Sequence, residues 1–226
     1  MPDRTRAREL ASEFNQKGDP TGWFETLYRE GAAGKSIVPW ANLRPNSLVP
    51  DFFESHAVPS AGKSALVIGS GLGDDADHLA TLGFHVTAFD ISETAIRTAK
   101  QRFPAGPRTS GGSIEHLVAN LLGPPAAWRG RFDFVLEIYT LQALPPAPRQ
   151  TAIEQIASFL RPSGQLLLIA MGRDLGDPPG ELPWPLTHEE LSAFQAHGLR
   201  ELSFEDLLDA EDPPVRRFRV LYELPQ

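Results

Sequence analysis

Between residues 64 and 171, short β-rich runs alternate with stretches whose apolar residues recur at three- and four-residue spacing. The runs 64–68 (SALVI), 84–90 (FHVTAFD), 114–118 (IEHLV), 132–138 (FDFVLEI) and 165–171 (QLLLIAM) read as strands. Between them, Ile96, Ala99 and Phe103 fall on one helical face, and so do Ile153, Ile156, Ala157 and Leu160. Strand and helix in regular alternation predict βαβ units. The fold class expected is α/β: a single-domain, Rossmann-like, doubly wound sheet, mostly parallel, with helices on both faces.

Local punctuation refines this. Arg161-Pro162-Ser163-Gly164 ends one helix and launches the next strand. Thr187 with Glu190 three residues later is a capping box that opens a helix over 188–197. The last two β-like runs, near 199–205 and 215–223, have no helix between them, which predicts a hairpin and a reversed C-terminal strand. Residues 1–56 are helical by pattern, interrupted by Gly31, Gly34, Pro39 and Pro45, and are expected to cap the same domain that 57–226 builds. Residues 172–186 have no regular pattern and read either as a surface excursion or as a binding loop.

A length of 226 residues suits one core, and no apolar stretch is long enough to cross a bilayer. The charged start MPDRTRAREL lacks a secretory segment, so a cytoplasmic protein is expected. Having no cysteine removes disulfides, thiolate ligation and a cysteine nucleophile together. A net charge of -8 argues against a broad nucleic-acid surface, and the basic cluster Arg216, Arg217, Arg219 reads as a solvated face. The histidines His56, His78, His85, His116, His188 and His197 show no metal-ligand spacing, so no metal is expected.

Candidate chemistry centres on ALVIGSGLGDDADHLA, residues 65–80. A strand, a glycine turn and a helix N-terminus bring backbone N–H groups toward an anionic ligand group. A dinucleotide fingerprint wants a third glycine where Asp74 stands. Asp74 and Asp75 would also lie against a pyrophosphate, each like-charge pair costing about 3 kcal/mol at roughly 5 Å and an effective dielectric near 20. S-adenosylmethionine, with a sulfonium and an ammonium against one carboxylate, suits these acids better. Asp90 ends the second predicted strand, where an acid holds ribose hydroxyls, and Ser92 is the N-cap of the helix that follows.

With GWFETLYREG and VPW upstream, GFHVTAFDISETAI, FDFVLEIYTLQALPPAPR, RPSGQLLLI and PPGELPWPLTHEEL, the chain from about Trp23 onward resembles class I S-adenosylmethionine-dependent methyltransferases. More narrowly it resembles the branch of thiopurine S-methyltransferases and halide/thiol methyltransferases. The resemblance implies that Gly69, Gly71 and Asp75 line the methionine part of S-adenosyl-L-methionine, that Asp90 holds the ribose, that Asn120 faces the adenine amino group, and that Ile91 and Leu121 also belong to the cofactor site. Asn120 stands where the family has Asp. An amide can still accept from the adenine amino group, without charge assistance. Val67 lacks the acid of many relatives, leaving Asp75 and Glu137 for the ammonium. Leu27 replaces a second tryptophan, so upstream aromatic contacts rest on Trp23 and Trp40, with Trp184 in the other irregular segment.

Methyl transfer from a sulfonium is an in-line displacement that needs the acceptor held about 3 to 3.5 Å from the methyl group and aligned. A thiol acceptor would gain from a nearby cation or donor. The resemblance puts Tyr139 and Arg149 in that catalytic position, with S-adenosyl-L-homocysteine as product. A small-molecule acceptor, no nucleic-acid or membrane partner, and a monomer or weak dimer are expected. The alternatives are an O- or N-methyltransferase, though EIYTLQALPP offers no base for a phenol, and a non-catalytic cofactor-binding regulator.

Overall fold

The computed structural model describes residues 3–209 and 212–226. It contains two compact units, one ending at Asn120 and the other beginning at Leu121. Among the described residues no helix is long and apolar enough to cross a membrane.

The first unit opens with three helices, α1 (Thr5–Gln16), α2 (Gly22–Ala32) and α3 (Leu48–Ser55). Gly31, expected as an interruption, lies inside α2. A side chain there would meet Val38 Cγ2 at 2.7 Å, so glycine lets the exit segment fold back on the last turn. Then follow β1 (Ser64–Ile68), α4 (Asp74–Thr81), β2 (His85–Asp90), α5 (Glu93–Arg102), a two-residue β3 (Gly106–Pro107) and β4 (Ser113–Val118). Strand order is β3-β4-β2-β1, with β1–β2 and β2–β4 parallel and β3 antiparallel. The helical faces bury Leu79, Ala80, Ile96 and Ala99, and full burial of a Leu or Ile side chain contributes about 1.5–3 kcal/mol. Gly112 precedes β4 so closely packed that a Cβ would fall on Ala80 O and lie 2.7 Å from Phe84 O, both backbone atoms. Gly112→Ala is therefore expected to destabilise by about 1–3 kcal/mol, read as a lowered urea midpoint at unchanged slope.

The second unit contains β5 (Phe132–Ile138), α6 (Pro146–Phe159), β6 (Leu160–Met171), α7 (His188–Ser192), β7 (Arg200–Leu208) and β8 (Arg216–Glu223). Strand order is β5-β6-β8-β7; β5–β6 is parallel, and β8 runs antiparallel to both β6 and β7. The predicted hairpin and reversed strand are present. The strand expected at 165 starts at Leu160, which pairs with Phe132 instead of extending the face of α6. Pro162 has no N–H for a helix, and Gly164 lies so near Phe132 O that a Cβ would sit 2.8 Å away. The capping box is complete, with Thr187 Oγ1 accepting from Glu190 N at 3.0 Å and Glu190 Oε2 accepting from Thr187 N at 2.8 Å. Only 188–192 is α-helical; 193–197 tightens into a 3-10 turn that ends at Gly198, φ 87°.

One expectation is overturned. Arg217 and Arg219 do not face solvent but are each 3% exposed. The cause is topological, since β8 lies between β6 and β7 and is covered by both. Each cation is neutralised from the β7 side, Arg219 by Glu205 at 2.6 Å and Arg217 by Asp209 at 2.7 Å. Arg216 alone keeps the partly exposed position, paired with Asp206 and Asp174.

Candidate active site

In the first unit the parallel strands β1, β2 and β4 end along one edge. Asp90 pairs in register with Val118, and Ala119 N donates to Asp90 O at 3.0 Å, which brings the exposed Asn120 beside Asp90 and Ile91. After β1 the chain turns through Gly69, Gly71 and Gly73 with φ 57°, 53° and 91°, a region where a Cβ is strained. Gly71 N donates to Asp90 Oδ2 and Ser92 N to Asp90 Oδ1, each at 2.9 Å, and Ile91 N also bonds the carboxylate. The Gly71 N–H is thus committed to Asp90. A carboxylate has about four lone-pair positions, so one remains for a ligand hydroxyl. Burial pushes Asp90 up to about 6, against the pull of these N–H groups. Ser92 caps α5 as expected, its side chain accepting from Ala95 N.

The two aspartates of the loop have separate roles. Asp74 is bound by both terminal nitrogens of Arg102 at 2.6 Å, a clamp from α4 to α5. Asp75 accepts from Asn46 N at 2.8 Å, and burial raises it to about 7, with Asp74 adding repulsion. Above the loop, Tyr28 from α2 is buried, and a Cβ on Gly71 would stand 2.8 Å from its hydroxyl. That hydroxyl accepts Trp40 Nε1–H at 2.8 Å. Trp23 is 1% exposed, stacked on Phe24 and edge-on to Trp40, which is 37% exposed and offers the open ring of the cluster. Nothing in the periodicity of α2 distinguishes Tyr28; its part emerges only from the contact with Gly71.

In the second unit Glu137, at the end of β5, is fully buried. Its Oε1 accepts from Thr140 N at 2.6 Å and Leu141 N at 3.0 Å, while Oε2 has no partner. Burial raises Glu137 to about 7. These bonds hold a turn in which Tyr139 takes φ 61°, a conformation costing a non-glycine residue about 1–3 kcal/mol. The Arg217 guanidinium lies 4.9 Å from the Tyr139 ring centre. Arg149 is buried and donates to Leu141 O at 3.2 Å, Leu144 O at 3.0 Å and Glu190 Oε1 at 3.3 Å. Gln142, which the sequence did not single out, takes Met171 N at 2.6 Å on its side-chain oxygen and Trp184 N at 2.8 Å on its carbonyl, pinning the 172–186 loop to this turn. Leu121 is buried at the start of this unit.

A glycine turn closed by a strand-end carboxylate, after a β-strand and before a helix, defines a Rossmann-like nucleoside-cofactor protein, and the cation at this loop, Arg102, is taken up by Asp74 and not left for a diphosphate. Taken unit by unit, the residues fit a sulfonium nucleoside: in the first, Asp90 keeps a lone pair that a ribose hydroxyl could use, and in the second, Glu137 Oε2 is a buried oxygen without a partner that would suit a cation. Comparison with known proteins narrows the class. The chain belongs to the thiopurine S-methyltransferase (TPMT) family, whose sequence model matches residues 32–220 across both units. It is 26% identical over 180 residues to a probable thiol methyltransferase 2 of Arabidopsis thaliana, covering 78% of this chain and 74% of that protein. It is 32% identical over 164 residues to a ubiquinone biosynthesis O-methyltransferase of Aromatoleum aromaticum, covering 71% and 66%. The fold matches Burkholderia thailandensis 1,6-didemethyltoxoflavin-N1-methyltransferase, solved with S-adenosylhomocysteine bound, with TM-score 0.68 and 18% identity over 100% of this chain and 93% of that one. The protein is an S-adenosylmethionine-dependent methyltransferase of small molecules.

Proposed function

We propose that the acceptor is a small thiol or sulfide and that the product is its S-methyl derivative. The observation that carries this reading is the pair of buried guanidinium groups at the turn after β5, with Arg149 bonded to Leu141 O and Leu144 O and Arg217 against the Tyr139 ring. A free thiol titrates near 8.5, and although Arg217 is paired with Asp209 and Arg149 with Glu190, a guanidinium that stands nearer to the acceptor than its carboxylate partner raises the thiolate fraction at neutral pH. Arg149 is committed to the turn's carbonyls, so it acts by its field and by fixing the turn, while the Tyr139 hydroxyl is the group that meets the acceptor.

In this reading Gly69, Gly71, Asp75 and Glu137 serve the methionine part of the cofactor, Asp90 and Ile91 the ribose, and Asn120 and Leu121 the adenine. Trp40 presents its open ring to the adenosyl group, with Trp23 as its backing. The bound cofactor supplies an activated methyl group on a sulfonium; the chain supplies alignment and exclusion of water. Residues 1–56 act as a cap of the catalytic domain, and the enzyme works in the cytoplasm as a monomer or weak dimer. Similarity to the O-methyltransferase favours a second reading, transfer to oxygen.

The test is S-adenosylhomocysteine formation with a panel of small thiols, phenols and amines. Thiols are expected to turn over fastest, with a rate that rises with pH toward the thiol's own pKa and Arg217→Met displacing that rise to higher pH. Turnover confined to phenols or amines overturns the thiol assignment.

A further inference from the structure

Glu25, on α2, is remote in sequence from the cofactor loop and touches no part of it directly. Its carboxylate nevertheless receives three bonds at the start of α5. Ser92 Oγ–H donates to Oε2 at 2.6 Å, Thr94 N to Oε2 at 3.1 Å, and Thr94 Oγ1–H to Oε1 at 2.8 Å. Ser92 and Thr94 are themselves 0% and 3% exposed.

Ser92 is the hinge of this arrangement. Its N–H holds Asp90 Oδ1 at 2.9 Å, and its Oγ accepts from Ala95 N at 3.0 Å. A serine hydroxyl has one proton. Given to Glu25, that proton is aimed away from the capping lone pair and from the carboxylate two residues earlier. The same helix that supplies Glu25 also supplies Tyr28, whose hydroxyl lies against Gly71. Helix α2 thereby meets Gly71 directly through Tyr28 and reaches Asp90 indirectly, through the Glu25–Ser92 bond.

We infer that Glu25 is a positioning residue of the cofactor site, which acts through Ser92 to orient Asp90 toward the ribose of S-adenosylmethionine. This rests on the reading of Asp90 as the ribose-binding acid. The charged and titratable groups that face Asp90 are Glu25 and Tyr28, both from α2, with Arg29 acting on Glu25.

Two substitutions separate position from charge. In Glu25→Gln, the amide oxygen at the Oε2 place keeps the Ser92 and Thr94 N–H bonds, and the amide NH₂ donates to a rotated Thr94 hydroxyl; only the charge is lost. In Glu25→Ala all three bonds are lost. Binding of S-adenosylhomocysteine is measured by calorimetry from pH 5 to 8, well below each variant's melting temperature, with Asp90→Asn and Thr94→Val alongside.

Glu25→Ala is expected to weaken binding about 10-fold at pH 8, the equivalent of one lost hydrogen bond, and, having lost the same charge, to share the shift of the acid limb expected of Glu25→Gln. Glu25→Gln should restore the pH 8 affinity and move the acid limb of binding to lower pH, because the charge opposing Asp90 ionisation is gone. Thr94→Val, which removes a bond that does not lead to Asp90, should lower the melting temperature and leave the dissociation constant within about two-fold, below the effect of one hydrogen bond. If Asp90→Asn binds like the parent, the ribose reading fails. If Asp90→Asn is impaired but Glu25→Ala binds like the parent, or Glu25→Gln is no better than Glu25→Ala, the positioning role fails.

Discussion

Asp90→Asn is expected to weaken S-adenosylhomocysteine binding by about 10- to 100-fold at pH 8, the worth of a hydrogen bond to a charged group. Three backbone N–H groups converge on this carboxylate, from Gly71, Ile91 and Ser92. An asparagine there has one accepting oxygen and one NH₂ group. Whichever way the amide turns, a donor faces a donor in a site only 5% exposed. Either the Gly71 turn or the Ser92 turn must loosen, and the lone pair left for a hydroxyl is spent on the protein. The loss should be in the dissociation constant, with the folded state retained, because the same substitution removes a carboxylate that burial has raised to about 6. Calorimetric titration checks it, and an unchanged dissociation constant would remove Asp90 from the cofactor site.

What the sequence made legible was whatever depends on neighbours along the chain. The βαβ alternation follows from apolar spacing within single elements, and the capping box at Thr187 and Glu190 is complete within one turn. The Asp90 position could be read because strand, turn and acid follow each other at short range. What stayed hidden depends on pairings across the fold. Arg217 and Arg219 looked solvated because nothing local says that β8 inserts between β6 and β7. Asp74 looked like a ligand-facing acid because its partner Arg102 is 28 residues away.

The same distinction explains α2. Glu25 meets Ser92 across 67 residues, and Tyr28 meets Gly71 only because a glycine leaves room for its hydroxyl. In an amphipathic helix both are ordinary positions. The glycine loop is similar: its positive φ values were foreseeable, but the Gly71 N–H, expected to be open to a ligand, is consumed by Asp90 in holding the two strand ends together.

Glu137→Gln is expected to stabilise the cofactor-free protein at pH 8 by on the order of 3 kcal/mol while leaving it unchanged near pH 4.5. Burial raises Glu137 from 4.5 to about 7, and each tenfold change in a proton's affinity is worth about 1.4 kcal/mol. The sign follows from proton binding. Between these values the folded state holds the proton and the unfolded state does not, so stability falls as pH rises from about 4.5 to about 7 and stays low above it. The amide introduced by Glu137→Gln does not ionise and escapes this loss; its oxygen can still accept from Thr140 N and Leu141 N. The parent's stability should therefore drop with pH relative to the variant, measured by urea unfolding in matched buffers, and parallel curves would refute the buried, unpaired carboxylate. The cofactor should act in the opposite sense. An ammonium meeting the ionised Oε2 lowers Glu137's pKa, so binding at pH 6.5 should release protons, seen as a calorimetric enthalpy that varies with the buffer's ionisation heat. In Glu137→Gln that release should shrink and affinity fall, as follows from the proposal that the charge which destabilises the empty fold is the one that receives the ammonium.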